Sequence, residues 1–302
     1  MAKPYRLCCL TKNKTNPAYE GARICAARLA NDLGCELLTF TPDVPDSVDE
    51  QDAHLVEALR QRPDAVLIAP ADTSALDHRL RDIRDAGIPL FFFVTSSNTV
   101  KAETFVTSDN HTLAVGIANH LFEHLDGKGN VVILEGIDKS PTSAPRTRGF
   151  RDAAAVYPGI NVVASRAGNY QHEDARIVMA EILQEQSDIS GVLAANDFMA
   201  FGAIETMQEA RRKAAVVGLN AMPDAIKAIQ DGRLLATVGY DAMTMTCLAV
   251  HAAMRFLSGE AVPKLIELPG DVVHAGNCDA WDLPYEQRPL PAWDLALKHA
   301  RP

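Results

Sequence analysis

The sequence lacks long apolar runs and dense basic clusters, and each absence excludes a class of protein. No stretch of its 302 residues approaches the ~20 consecutive apolar residues that a membrane helix needs. Lys and Arg number 29 against 39 Asp and Glu, which gives a formal net charge of −10. Nucleic acid and anionic membrane surfaces bind basic faces, so we expect neither as a partner.

Catalytic and metal-binding motifs are also missing. There is no GxSxG, no phosphate-binding lysine loop and no GxGxxG after a strand. His120 and His124 lie four residues apart on a predicted helix, but the "LFE" between them does not complete HExxH. We therefore predict that the protein is not an enzyme and has no cofactor.

The six cysteines show no spacing typical of a zinc site. None forms a CxxC pair, and Cys8 and Cys9 are adjacent on a predicted strand, so their side chains face opposite ways. Free cysteine is among the most buried residue types. We expect all six to be thiols packed in the core, at Cys8, Cys9, Cys25, Cys35, Cys247 and Cys278.

The first ten residues, "MAKPYRLCCL", run directly into a strand without an apolar segment of signal-peptide length. We expect one of two situations: the protein works in the cytoplasm, or this chain is a mature form from which a leader was removed.

Short apolar runs alternate with longer amphipathic segments along most of the chain. Several of the short runs are continuously apolar ("AVLIA", "PLFFFV", "VVIL"), which is typical of parallel strands covered on both faces. The predicted class is α/β with doubly wound parallel sheets. The predicted strands are residues 6–10, 36–40, 65–69, 90–94, 130–134, 161–165, 191–195, 215–219, 235–239 and 265–268.

The same strand–polar residue–helix pattern occurs in both halves of the chain. "DAVLIAPADTSAL" at residues 64–76 is echoed by "SGVLAANDFMAFGA" at residues 190–203. Two halves of domain size predict two tandem sheets, with a boundary near residues 105–110.

Polar and aromatic side chains follow nearly every predicted strand. In open α/β sheets, ligands bind at the carboxyl ends of strands, where these side chains would lie. Amides and a guanidinium can bind adjacent hydroxyls, and aromatic rings can cover the apolar face of a sugar or polyol. The candidate residues are Lys12, Asn16, Tyr19, Thr95, Arg146, Tyr170, Asn196, Asn220 and Tyr240.

Each candidate also has a purely structural explanation. Asn16 before Pro17 is a strong helix N-cap, and Asn196 is placed to cap the following helix. Asn220 lies three residues before a proline, as in a turn, and Arg146 fits a surface ion pair. The tyrosines fit ordinary rim aromatics. Asn16 can do both jobs at once, because a side-chain amide has separate donor and acceptor ends.

Several motifs together make the chain resemble sugar-binding periplasmic proteins of the ribose-binding type, the solute receptors of ABC importers. They are "TNPAYEGA", "AGIPLFFF", "TSDN", "APRTRGF", "LAANDFMAFGAI", "VVGLNAMPDAIKAI" and "DGRLLATVGYD", and the resemblance covers residues 6 to about 274. It implies two Rossmann-like lobes joined by a three-strand hinge (a type I periplasmic binding protein), which close on a ligand trapped between them. The expected lobes are residues 1–108 with 241–275, and residues 109–240 with 276–302. The hinge crossings would fall near residues 108–110, 240–241 and 274–275.

Carried over position by position, the family's ligand contacts match residues of this sequence. The polar residue after the first strand corresponds to Lys12 or Thr11, and the guanidinium before Gly-Phe to Arg146. The remaining matches are Asn16, Tyr19, Tyr170 and Asn196.

The sequence departs from the ribose-type pattern at several contacts. The ribose-type Asp-Arg pair is replaced by Val94 and Thr95, the later Asp by Asn220, and the Gln near the last hinge by Tyr240; Ala18 replaces an aromatic. The loss of two acidic contacts argues against ribose and aldopyranoses in general.

The resemblance predicts a monomeric receptor that captures a monosaccharide or polyol, with a sugar acid as a further option, and delivers it to the membrane permease of an ABC importer. Such a receptor is periplasmic. The alternative is the ligand-sensing domain of a lactose-repressor-type regulator without its DNA-binding part, which would be cytoplasmic; a receptor partner of a membrane sensor is a third option. Residues 278–302 lie outside the family pattern, and we expect Trp281 and Trp293 to hold this tail across one lobe.

Overall fold

A computed structural model describes residues 4–138 and 140–301. Over these residues the chain folds into two compact units. Unit 1 contains the described residues up to Ser108, then Asp241–Pro269, and the tail from Pro284 onward. Unit 2 contains Asp109–Tyr240 and Gly270–Leu283.

The secondary structure alternates between strands and helices, as predicted for an α/β protein. The strands are β1 (Arg6–Leu10), β2 (Glu36–Phe40), β3 (Ala65–Ile68), β4 (Leu90–Phe93), β5 (Thr104–Thr107), β6 (Lys128–Glu135), β7 (Gly159–Ala167), β8 (Gly191–Ala194), β9 (Ala215–Leu219), β10 (Ala236–Val238), β11 (Leu265–Glu267), β12 (Val272–His274) and β13 (Ala300–Arg301). The helices are α1 (Pro17–Leu33), α2 (Val48–Arg60), α3 (Asp77–Asp85), α4 (Asn110–His124), α5 (Ser143–Val156), α6 (His172–Glu185), α7 (Asp197–Glu209), α8 (Pro223–Gln230), α9 (Ala242–Leu257) and α10 (Trp293–Lys298), with a short 3₁₀ helix at Cys278–Trp281.

Unit 1 is built on a seven-stranded sheet in the order β13-β11-β5-β4-β3-β1-β2. Its strands pair in parallel except at one edge, where β13 runs antiparallel to β11. All four residues of β3 and of β4 are buried, which explains their continuously apolar sequences. Helices α2 and α3 cover one face through Leu55, Leu80 and Ile83, while α1 and α9 pack against each other.

Unit 2 is built on a six-stranded sheet in the order β12-β10-β9-β8-β6-β7. The pairing is again parallel except for the edge strand β12, which runs antiparallel to β10. Two mainly parallel sheets with helices between most successive strands confirm the predicted fold class.

The described chain passes between the units four times instead of the expected three. Two of the passages, at Ser108/Asp109 and Tyr240/Asp241, lie where the sequence placed them. The third lies at Pro269/Gly270 rather than at residues 274–275, and a fourth occurs at Leu283/Pro284. Residues 284–302 were expected in the C-terminal lobe, but the described part of this segment belongs to unit 1.

The tail joins unit 1 because its side chains fill specific gaps there. The Tyr285 ring lies flat against Gly21, where a Cβ atom would come within 2.6 Å of the ring. Arg28 Nη1 donates to the carbonyls of Tyr285 and Arg288, each at 2.9 Å. Trp293 is buried beneath the guanidinium of Arg255, 5.2 Å from the ring centre.

Trp281 does not share that role. It packs on Gly239 within unit 2, with a ring carbon 2.9 Å from the position of an added Cβ. The expectation that both tryptophans hold the tail to one lobe was therefore wrong.

Two cysteines also differ from the expectation. Cys25 of α1 and Cys247 of α9 form a disulfide, with their Cα atoms 5.9 Å apart. Both are fully buried where the two helices pack. The other four are thiols, as expected: Cys8, Cys9 and Cys278 are buried, while Cys35 is partly buried.

Candidate functional site

In unit 1, the loop between β1 and α1 is organised by an asparagine that the sequence analysis did not single out. Asn13 Oδ1 accepts hydrogen bonds from the backbone N–H groups of Thr15 and Asn16, at 3.0 and 2.7 Å. Its Nδ2 donates to Asp46 at 3.1 Å. The Asn-x-Thr-Asn spacing is the sequence signal for such a side-chain turn.

Asn16 caps α1, as predicted. Its Oδ1 accepts from the backbone N–H of Ala18 at 3.0 Å, and Pro17 occupies the first helical position. The residue is buried, and across residues 4–138 and 140–301 no atom accepts from its Nδ2. The donor end of this amide is therefore available for a ligand.

Lys12 is buried and its charge is compensated within unit 1. Its ammonium lies 3.3 Å from Asp46 Oδ1, and the two side chains are 5% and 12% exposed. Asp46 thus contacts both Lys12 and Asn13 and fixes the position of the loop between β1 and α1. The pairing depends on the β1–β2 register, which the sequence alone does not show.

Thr95 and Tyr19 complete the candidates in unit 1. Both are buried, Tyr19 on the first turn of α1 and Thr95 just after β4. The Thr95 hydroxyl donates to the carbonyl of Pro70 at 2.8 Å. Val94, which precedes Thr95, has φ of 65°. This left-handed conformation is energetically unfavourable for a β-branched residue, and it changes the direction of the chain after β4.

In unit 2, Arg146 is the centre of the candidate site. It lies on α5 and is 3% exposed. Nε donates to Asn110 Oδ1 at 2.8 Å and Nη1 to the carbonyl of Ala195 at 2.5 Å. Its guanidinium carbon is 4.6 Å from the ring centre of Tyr240 and 5.9 Å from that of Tyr170. Arg146 is therefore a buried residue, and the surface ion pair considered from the sequence was the wrong interpretation.

Asn196 caps α7 and also connects two strand ends. Its Oδ1 accepts from the backbone N–H of Met199 at 2.8 Å, and its Nδ2 donates to the carbonyl of Tyr170 at 3.2 Å. Because both ends of the amide have a partner, Asn196 retains one N–H and one lone pair for a ligand.

Asn220 follows β9 with φ of 128°, and Ala221 after it has φ of 50°. Its backbone N–H pairs with Val238, but its buried side-chain amide has no hydrogen bond to any residue that the structure describes. The donor and acceptor ends of this amide are therefore available for a ligand.

Asp197, next to Asn196, is a strongly perturbed acid of unit 2. It is fully buried, and burial raises the pKa of its carboxyl to about 6. The Thr237 hydroxyl at 2.5 Å, the Met222 N–H at 3.0 Å and the attraction of Arg146 oppose that rise. Asp197 therefore connects the ends of β8, β9 and β10.

Tyr170 packs face-on against Gly136. A Cβ atom at Gly136 would lie 2.2 Å from the ring, while the Tyr170 hydroxyl bonds Thr142 at 2.8 Å. Position 136 therefore requires glycine, because a side chain there would displace the Tyr170 ring.

Gly136→Ala is expected to displace this ring and to lower the free energy of unfolding by about 1–2 kcal/mol, as overpacked sites do. Chemical denaturation measures the change. Gly116→Ala is the matched control, because Gly116 lies in α4 with open space around it, and Ala is the better helix former. Equal stability of the two variants would show that Tyr170 is not constrained by Gly136.

The described residues contain no group of three or more His, Cys, Asp or Glu that could hold a metal ion. No helix among them is long and apolar enough to cross a bilayer. The site offers amide, guanidinium, hydroxyl and aromatic contacts, which suit a polar organic ligand.

Comparison with known proteins gives a consistent result. Residues 9–261 match the model of a family described as periplasmic binding protein domain. A ribose import binding protein of Bacillus subtilis is 30% identical over 227 residues, which are 75% of this chain and 74% of that protein.

Solved structures agree with the sequence comparison. A periplasmic solute-binding protein of an ABC transporter from Actinobacillus succinogenes with bound D-allose superimposes with a TM-score of 0.87 at 27% identity, covering 92% of this chain and 99% of that one. A solute-binding protein from Bacillus halodurans with bound myo-inositol gives 0.86 at 22% identity, covering 93% and 98%, and so shows the fold alone.

Proposed function

Because this chain belongs to the periplasmic binding protein domain family, we propose that it is the solute receptor of an ABC importer and binds a small polyhydroxy ligand, a monosaccharide or polyol. The observation that carries the proposal is the set of buried amides that follow strands, together with the buried Arg146 guanidinium, which reaches from α5 to the end of β8; several of their donors are used by no described residue. The D-allose complex and the ribose import protein support the ligand class.

The proposal assigns ligand contacts to both units. In unit 1 they are Lys12, Asn16, Tyr19 and Thr95. In unit 2 they are Arg146, Tyr170, Asn196, Asn220 and Tyr240. Amides and guanidinium bind pairs of hydroxyls, while the tyrosine rings cover apolar C–H faces. In this proposal the protein binds its ligand and releases it unchanged, since these nine residues include no nucleophile–base pair.

The partner in this proposal is a membrane permease, and the location is the periplasm. The Cys25–Cys247 disulfide supports that location, because disulfides persist in oxidising compartments. The relatives named as import proteins favour this role over the regulator alternative. A thermal-shift screen of monosaccharides and polyols tests the proposal, since a tight ligand raises the melting temperature by mass action. The absence of any shift or calorimetric signal across the panel would refute it.

Asn16→Asp is expected to weaken binding of a screened ligand about tenfold with little change in stability. Aspartate keeps the oxygen that caps α1 but lacks the Nδ2 donor that we assign to the ligand. Asn16→Ala, which loses both, should show weaker binding and lower stability. Calorimetry and denaturation on the pair separate the two roles, and wild-type affinity in Asn16→Asp would remove Asn16 from the site.

A further inference from the structure

Arg146 carries a positive charge whose described hydrogen-bonding partners are all uncharged. Its Nε and Nη1 donate to an amide oxygen and a backbone carbonyl, and Nη2 donates to no atom of residues 4–138 or 140–301. No carboxylate in that same part of the chain lies within ion-pair distance of its guanidinium, although the side chain is 3% exposed. Lys12, the other buried cation of the candidate set, differs because it is paired with Asp46.

This role is not filled by Asp197, Asp138 or Asp241. Asp197 attracts Arg146 electrostatically, but its two oxygens are bonded to Thr237 and the Met222 N–H. Asp138 is exposed, and Asp241 accepts from the Met243 N–H as the cap of α9. The ring faces of Tyr240 and Tyr170 offset only part of the charge, since a cation–π contact is weaker than an ion pair.

The strand order places a second side chain without a described hydrogen-bonding partner at the neighbouring strand end. Nη1 of Arg146 bonds the carbonyl of Ala195, directly after β8, and Asn220 stands at the end of β9, the neighbouring strand. The Asn220 amide has no hydrogen bond to the described residues. A ligand at the ends of β8 and β9 therefore meets two groups. One is the Arg146 cation, which has no ion-pair partner among the described residues, and the other is the Asn220 side-chain amide, which none of those residues bonds.

We propose that the ligand carries a carboxylate, which Arg146 binds end-on through Nη1 and Nη2, so that the preferred class is a polyhydroxy acid such as an aldonic or uronic acid. The inference rests on the proposed function and specifies its ligand class. A carboxylate fits the planar guanidinium with two parallel hydrogen bonds. It also removes the cost of desolvating an unpaired charge when the ligand excludes water.

The test compares matched acids and neutral compounds by calorimetry at neutral pH: D-gluconate with D-glucitol, D-ribonate with ribitol, and D-galacturonate with D-galactose. We expect at least one acid to bind about tenfold or more tightly than its neutral partner, and salt to reduce that preference only slightly, because the pair is buried. Neutral compounds that bind as tightly as the acids, or more tightly, would overturn this inference and leave the proposed function intact. A panel without any binding would overturn both.

Variants test whether Arg146 is the group responsible for the preference for the acid. Arg146→Gln should remove the preference for the acid, whereas Arg148→Gln should keep it, since Arg148 is on the same helix but exposed. Asn220→Asp provides a second route that keeps Arg146 in place: the added carboxylate should lower affinity for the acid about tenfold more than affinity for the neutral partner. An acid preference that survives unchanged in Arg146→Gln or in Asn220→Asp would contradict the proposal.

Discussion

Removal of the disulfide between Cys25 and Cys247 is expected to lower the free energy of unfolding of unit 1 by about 3–5 kcal/mol. The bond joins residues 222 positions apart, so it removes many conformations from the unfolded chain. It also links α1 to α9, the two helices that pack against each other on this unit. The double variant Cys25→Ala/Cys247→Ala should melt roughly 5–15 °C below the oxidised wild type.

Thiol titration provides the chemical check. The wild-type chain, denatured without reductant, should expose four reactive thiols out of six. Burial raises the pKa of Cys8 and of Cys9 to about 12, so these two stay unreactive in the folded protein. Reductant should lower the melting temperature of the wild type and of the control Cys35→Ala, but not that of the double variant. Six titratable thiols would show that the bond is absent.

The second large effect concerns Asp197 and pH. Burial raises its pKa to about 6 in the folded protein from an ordinary value of 3.8, so the fold favours the protonated carboxyl. This contribution to stability is fully present below about pH 3.8 and is lost as the pH rises through about 6. A shift of this size corresponds to about 3 kcal/mol.

Asp197→Asn should remove that pH dependence, because an amide does not titrate and can still bond Thr237 and the Met222 N–H. The stability of the variant relative to wild type should therefore rise by about 3 kcal/mol between about pH 4 and pH 7. Urea denaturation at several pH values measures this, with the exposed Asp224→Asn on α8 as control. Parallel curves for wild type and Asp197→Asn would contradict the assigned burial effect.

The sequence predicts the parts of the fold that depend on local pattern. Apolar runs such as "AVLIA" and "PLFFFV" located β3 and β4 because buried parallel strands require such runs. The Asn-Pro pair located the start of α1 to the residue, since its capping chemistry is local. By contrast, β5 alternates over only four residues, while β12 and β13 are edge strands of three and two residues. None of these three segments has the continuous apolar run that marks β3 and β4.

Contacts between segments that are distant in the sequence could not be predicted from local pattern. The Lys12–Asp46 pair and the Asp197–Thr237 bond depend on which strands lie side by side. The tail was assigned to the wrong unit because its prolines mark irregular chain but not the surface that it covers. Candidate ligand residues could be chosen at strand ends, whereas the uncharged hydrogen-bonding partners of Arg146, Asn110 and the Ala195 carbonyl, could be identified only in the folded structure.

The division of unit 1 into separate chain segments has a consequence for biosynthesis. Cys25 leaves the ribosome together with Cys8, Cys9 and Cys35, long before Cys247 is made. If oxidation begins while the chain is still emerging, the first available partners of Cys25 are the wrong ones, and thiol–disulfide exchange must correct them. If the completed chain is oxidised, α1 and α9 can pack first and bring the correct sulfurs together. With the proposed periplasmic location, the yield of correctly bonded protein should therefore depend on a disulfide isomerase most strongly when export is coupled to translation.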